Sequence, residues 1–338
     1  MSIFEVKVLQ IRDSSFNIGF RTGKIIQNNP IIRALEMITK PEIEYENMKS
    51  IYLSFAPHLL DELQGLSEGL GISLNKAASL FSGYDVQKTE AMGCSTILTK
   101  DYYVRNYDFG PSLYDGNFSL VQPDHAFASA GYNLQAIGRH DGVNEQGVVL
   151  GLHFVSNKDY SVGLSPWTSI RMILDTCSTT DDAIQMLKEI PHSACYNFSI
   201  GDRNGDIAVV EATPTKISVR REPDFLSCVN HFQVKELQPN NRMLNDNSIK
   251  RNDYLQSLRK SNLTYREMFN QFSTSESPLF LTDYDQLFGT LHTFSYSFKD
   301  EKILTSIAKG EQIIDINLQE WIQGNNLKET KLTGKIEN

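Results

Sequence analysis

The 338-residue chain changes texture at one point, and that change limits the folds open to it. Before it, residues 44–82 repeat apolar side chains at helical spacing, as at Leu59, Leu60, Leu63, Leu66 and Leu70, with Gly71 as a stop. Residues 1–93 therefore read as a mostly helical segment that forms a layer of its own. After Met92 come short alternating or apolar runs at 95–99, 102–106, 147–155, 197–201, 207–211 and 217–221, which predict strands of a largely antiparallel sheet system. Asn144-Glu145-Gln146-Gly147 and Asp202-Arg203-Asn204-Gly205 lie between such runs and supply hairpin chemistry. Two helices are predicted over Pro166–Thr176 and at about 180–189, the second opened by an N-cap at Thr179 or Thr180. The polar tail beyond Gly310 is expected to fray at its end.

At the change of texture stands Gly93-Cys94-Ser95-Thr96-Ile97-Leu98, followed by Val104-Arg105-Asn106-Tyr107-Asp108-Phe109. If Cys94 begins one strand and residues 99–102 make the turn, the next strand returns Arg105 and Asp108 to the start of the first. A thiol, a guanidinium and a carboxylate then share one end of a hairpin. A strand cysteine is more often a small buried hydrophobe than a nucleophile, but this neighbourhood favours chemistry. Cys177, Cys195 and Cys228 lack it and read as core residues.

Composition removes other classes. A net charge of -9, with no run of Lys or Arg longer than two, argues against nucleic acid as a partner. No apolar run reaches the roughly 18 residues of a membrane span, and residues 1–15 alternate charge with apolar side chains, so the chain is expected to be soluble and cytoplasmic, without a membrane partner. Four cysteines without C-x-x-C spacing argue against zinc ribbons and a disulfide framework, and no His/Asp/Glu cluster has ligand spacing, so neither metal nor cofactor is expected.

Gly-Cys-Ser-Thr with the downstream Arg-Asn-x-Asp resembles the acyl-coenzyme A:6-aminopenicillanic acid acyltransferase family and, more distantly, the choloylglycine hydrolases, which include bile-salt hydrolases and penicillin V acylases. Three further segments fit in order: Gly142-Val143-Asn144-Glu145-Gln146-Gly147-Val148, Cys228-Val229-Asn230-His231, and Ser248-x-x-Arg251. The resemblance implies an α+β fold, a four-layer αββα N-terminal-nucleophile (Ntn) hydrolase sandwich of two stacked, mainly antiparallel sheets, preceded by the helical segment. It implies self-cleavage between Gly93 and Cys94, with residues 1–93 kept as a small subunit and residues 94–338 as the catalytic domain. Cleavage would leave Cys94 with both a thiol and a free α-amino group, which can serve as its own general base.

By the same resemblance, Asp108 bonds the amine or thiol, Arg105 favours the thiolate, Asn230 donates to the oxyanion of the tetrahedral intermediate, and Arg251 anchors the site's carboxylates or the N-terminal strand. His153 departs from the family, which usually carries Asn there as a second oxyanion contributor; an imidazole N–H could donate in its place. Tyr107, Phe109, Phe154, Trp167 and Phe232 flank these positions in sequence, with Tyr107 and Phe154 the candidates for the substrate pocket, hinting at an apolar acyl site. His192, His231 and His292 read as structural hydrogen-bonding groups.

The leading function is hydrolysis of a linear, non-peptide amide through an acyl-enzyme on Cys94, with a small-molecule substrate. Transfer of the acyl group to an amine uses the same residues, and the lack of a phosphate-cradling motif tilts the reading to hydrolysis. A one-piece Cys–His protease would place the cysteine at the start of a long helix, which β-branched residues 95–99 do not support. A non-catalytic binding scaffold is the remaining class, and association into a homo-oligomer is left open.

Overall fold

The computed structural model describes residues 2–86 and 93–336. Strand β1 (Ser2–Asp13) leads into five helices, α1 (Ser15–Ile26), α2 (Ile31–Ile38), α3 (Tyr45–Phe55), α4 (His58–Leu70) and α5 (Leu74–Phe81). Six strands follow: β2 (Gly93–Thr99), β3 (Tyr102–Phe109), β4 (Asn117–Pro123), β5 (Ser129–Leu134), β6 (Gly138–Asn144) and β7 (Val149–Ser156). Helices α6 (Pro166–Thr176) and α7 (Thr180–Glu189) precede β8 (Cys195–Gly201), β9 (Ile207–Ala212), β10 (Ile217–Arg221) and β11 (Phe225–Cys228). The chain then runs through α8 (Asp246–Ser257), α9 (Tyr265–Ser273), β12 (Thr282–Asp283), β13 (Phe288–Ser297), β14 (Lys302–Ile307), β15 (Ile314–Asn317), α10 (Leu318–Ile322) and β16 (Lys331–Ile336).

Two sheets result. One has nine strands in the order β10-β9-β8-β7-β6-β5-β4-β1-β16; the other has seven, β11-β2-β3-β13-β14-β15 with β12 beside β13. The pairing is antiparallel except between β1 and β4. The inner faces meet in one core to which Leu98, Tyr103 and Phe294 contribute from one sheet and Tyr132, Leu152 and Phe198 from the other. Helices α6 and α7 cover the outside of the nine-stranded sheet, and α8 and α9 cover the outside of the other. This is a four-layer αββα sandwich, as the resemblance implies.

Local signals behave as read. Thr179 Oγ1 accepts the Asp182 N–H at 3.1 Å and starts α7. Pro166 opens α6, and Gly71, with φ of 72°, terminates α4 in the left-handed conformation. Helices α1–α5 have their own core, built around Tyr52, Leu59, Leu63 and Leu66, and lie against α6. Within that layer α1 and α4 touch backbone to backbone: a Cβ at Gly19 would sit 1.9 Å from the Glu62 carbonyl oxygen, and one at Gly65 1.9 Å from that of Phe16.

Two parts differ from the sequence reading. Residues 2–13 are not part of a helical layer but a strand inserted between β4 and β16. The tail does not fray through residue 336: Leu332, Gly334 and Ile336 alternate inward along β16. In each case partners more than 100 residues away supply the hydrogen bonds that a local reading does not see.

Candidate active site

Strands β2 and β3 form a hairpin whose turn is closed by Thr99 Oγ1, which accepts the N–H groups of Asp101 at 3.2 Å and Tyr102 at 3.0 Å. The resulting register pairs Gly93 with Asp108, Cys94 with Tyr107 and Thr96 with Arg105. Gly93 is needed for the closeness of that approach rather than for its dihedral angles, because an added Cβ would lie 2.9 Å from Asp108 Oδ2.

The thiol of Cys94 is buried and takes a hydrogen bond from Arg105 Nη2 at 3.1 Å. The same nitrogen donates to the Leu152 carbonyl at 2.6 Å, while Nη1 pairs with the Asp141 carboxylate. Burial pushes the thiol up to about 11, against the opposing pull of Arg105. The Cys94 main-chain N–H donates to Asn230 Oδ1 at 2.8 Å. Asn230 stands just past β11, the strand beside β2, and gives one N–H of Nδ2 to the Phe154 carbonyl at 2.9 Å.

Arg251 comes from the buried face of α8 and ties these groups together. It donates to the Cys94 carbonyl at 2.6 Å, to Ser95 Oγ at 2.8 Å and to Asn230 Oδ1 at 3.0 Å. One turn earlier, Ser248 Oγ accepts the Asn230 N–H at 3.0 Å, which accounts for the three-residue spacing between Ser248 and Arg251. Asp108 is buried; its Oδ1 accepts from Thr290 at 2.7 Å, and Oδ2 beside Gly93 has no hydrogen-bond partner among the described residues. Burial raises its pKa above the ordinary carboxylate range, with Arg251 opposing.

His153 on β7 points its Nε2 at Ser199 Oγ (2.9 Å) and Thr96 Oγ1 (3.3 Å), not at the thiol. Burial, reinforced by the guanidinium groups of Arg105 and Arg251, keeps this imidazole neutral. Tyr107 lies under the Arg105 guanidinium at 5.3 Å, and Phe154 packs edge-on to Tyr196 at 5.5 Å.

Cys94, Arg105, Asn230 and Arg251 are thus directly bonded to one another. Asp108 adjoins them through Gly93, and His153 adjoins them through Thr96. Tyr107 is the register partner of Cys94, and Phe154 reaches the group through its carbonyl. Cys177, Cys195 and Cys228 are buried, as read. Two residues near the site escape the sequence reading, Thr290 and Asp141, and His292, read from sequence as a structural hydrogen-bonding group, bonds Asp141 beside the site. Asp141 stands directly before the Gly142 block, which is the one local cue to it.

Residues 97–312 match the family described as acyl-coenzyme A:6-aminopenicillanic acid acyl-transferase. No curated protein matches the chain. Among solved structures, a variant of the conjugated bile acid hydrolase from Clostridium perfringens is similar at 14% identity with a TM-score of 0.46, covering 73% of this chain and 97% of that one. Penicillin V acylase from Agrobacterium tumefaciens is similar at 16% identity and 0.39, over 67% and 87% of the two chains. An N-acylethanolamine-hydrolyzing acid amidase ortholog from Caenorhabditis elegans is similar at 14% and 0.41, over 61% and 93%.

Proposed function

Because the chain belongs to the acyl-coenzyme A:6-aminopenicillanic acid acyl-transferase family, we propose that it cuts itself between Gly93 and Cys94 and then uses Cys94 as an N-terminal nucleophile on linear, non-peptide amides. The observation that carries this reading is the pair of contacts at Cys94: a guanidinium 3.1 Å from the sulfur and an amide oxygen 2.8 Å from the main-chain nitrogen. A core cysteine needs neither.

In the uncut chain the Cys94 nitrogen is an amide and no base, and burial, which pushes the thiol up to about 11, keeps it protonated at pH 7. Attack of Sγ on the Gly93 carbonyl carbon and transfer of that acyl group from nitrogen to sulfur give a thioester. Water then releases a Gly93 carboxylate and leaves the thiol and a free amine on one residue. That amine, with a pKa near ~8, takes the thiol proton, while Asn230 Oδ1 holds it where the amide N–H stood.

In turnover the thiolate, stabilised by Arg105, attacks the substrate carbonyl. The second N–H of Asn230 Nδ2 is the group to meet the oxyanion, with His153 Nδ1, which has no hydrogen-bond partner among the described residues, as the second candidate, and loss of one such donor costs about 2.7–4 kcal/mol. The amine returns its proton to the leaving nitrogen, and water resolves the acyl-enzyme; an amine in place of water gives acyl transfer. Arg251 fixes the strand carrying Cys94, Asp108 accepts from the new α-ammonium, and residues 1–93 stay as a small subunit. A Cys–His pair is disfavoured, because the hydrogen bond at the Cys94 sulfur comes from the Arg105 guanidinium and not from an imidazole.

The test is the intact mass of denatured wild type beside Cys94→Ala, followed by an amide screen with mass detection of the acylated cysteine. Wild type is expected as fragments 1–93 and 94–338, and the variant as one chain. An uncut wild type would sink the proposal.

A further inference from the structure

Behind Arg105, on the side away from the thiol, lies a second chain of buried polar groups. Asp141 Oδ2 pairs with Arg105 Nη1 and takes a hydrogen bond from His292 Nε2 at 2.8 Å. His292 Nδ1 faces the Tyr114 hydroxyl at 2.7 Å, and the Tyr132 ring stacks on the imidazole with centroids 3.7 Å apart. Arg105, Asp141 and His292 are each fully buried.

The backbone is irregular at both places that supply this pair. The register between β13 and β3 slips between Thr290 and His292, so that Leu291 is an extra residue. The register between β5 and β6 slips between Tyr132 and Asn133, so that His140, next to Asp141, is extra. Each bulge lies in a different sheet, and together they bring a β13 imidazole and a β6 carboxylate into contact across the interior. On β13 the slip keeps Thr290 on Asp108 while His292 reaches Asp141.

We propose that Asp141 and His292 are positioning residues for the reaction at Cys94: they hold the Arg105 guanidinium in the orientation in which Nη2 meets the sulfur, with Tyr114 fixing the imidazole. This rests on the function proposed above. An ionised Asp141 only accepts, so His292 carries its proton on Nε2 and Nδ1 accepts from Tyr114. The environment agrees: His292 and Arg105 outweigh burial to hold the Asp141 carboxyl below its usual range, while burial holds the imidazole below its own. A neutral group at position 141 leaves the guanidinium with the Leu152 carbonyl and the thiol alone and lets it turn. Misplacement of a catalytic group by about 1 Å costs about 10² in rate.

The experiment compares Asp141→Asn, His292→Gln and His292→Phe with wild type. Self-cleavage rate, kcat and KM on an amide found by the screen, and ring ¹⁵N spectra of the histidines are read together. Expected for Asp141→Asn is a fall of about 10²-fold in cleavage rate and kcat with KM within about 2-fold, together with a shifted His292 signal. His292→Gln, which keeps an N–H donor, is expected to lose at least about 5-fold less than His292→Phe. If Asp141→Asn is insoluble, the two His292 variants decide. Wild-type kinetics in Asp141→Asn, or equal losses in the two His292 variants, would overturn the proposal while cleavage of wild type stands. An uncut wild type strikes the function instead, and the ¹⁵N signature of a neutral Nε2–H imidazole still reports on the relay.

Discussion

At the scale of single residues, Gly93 shows how sequence and chemistry are joined. Its missing Cβ lets Asp108 stand against the bond that would be cut, so Gly93→Ala should crowd Asp108 Cβ and Oδ2, each 2.9 Å from the new atom. A loss of about 1–3 kcal/mol is expected from that overpacking. Measured as a urea midpoint in a Cys94→Ala background, an unchanged value would show that the strands separate freely. Cys94, Arg105 and Arg251 are legible in the sequence because each sits in a short motif whose spacing is set by one hairpin or one helical turn, and Asn230 because its block, Cys228-Val229-Asn230-His231, resembles the family's. The contact between Asp141 and His292 is not legible, since two register slips bring them together and a slip leaves no mark in periodicity.

Among elements, the tightest join is α1 on α4. Gly19, Gly23, Gly65 and Gly69 let the two backbones touch, and any side chain at Gly19 or Gly65 would meet a carbonyl oxygen at 1.9 Å. Gly65→Ala should therefore cost more than Gly93→Ala, because neither helix can yield without moving the other; roughly 3 kcal/mol marks the upper range for overpacking. Equal urea midpoints for Gly65→Ala and the parent would contradict this packing. The same layer is tied to the sandwich by Arg171 on α6, which donates to Glu62 Oε2 of α4 at 2.6 Å and to Asp175 Oδ2 at 2.8 Å, with His58 also on Asp175. Helices α6 and α7 and the hairpins after Asn144 and Asp202 are readable because their caps and turns are local. Strand β1 is harder: its alternating Val6 and Val8 carry a strand signal, but its neighbours are β4 and β16, far along the chain.

For the molecule as a whole, buried and half-buried histidines dominate the response to acid. Burial lowers His192 and His231 to about 4, and lowers His140, His153 and His292 as well. The unfolded chain takes up these protons below its ordinary value near ~6.5, whereas the folded chain resists, so stability is full at neutral pH and is lost as pH falls from there toward 4. Asp115, raised to about 6 by burial, acts in the opposite sense, since the folded form keeps a proton that the unfolded form releases. Asp108, also raised by burial, acts in the same sense as Asp115; with these two groups against five, the urea midpoint of Cys94→Ala should fall between pH 6.5 and 4.5, and adding His192→Gln should flatten that fall. A midpoint constant over that range would refute this account. The overall architecture is legible from the change of texture at residue 93 and the family motifs, but the closure of the larger sheet is not. In that sheet, residues 2–7, the earliest of the described chain to leave the ribosome, take Lys331–Ile336, the latest, as one of their two neighbours. A chain still being made holds β1 by β4 alone, so under the proposed cleavage a cut at Gly93 made before residues 331–336 emerge would leave that strand with one of its two neighbours, and the helical layer's ties to α6 would hold the fragment besides.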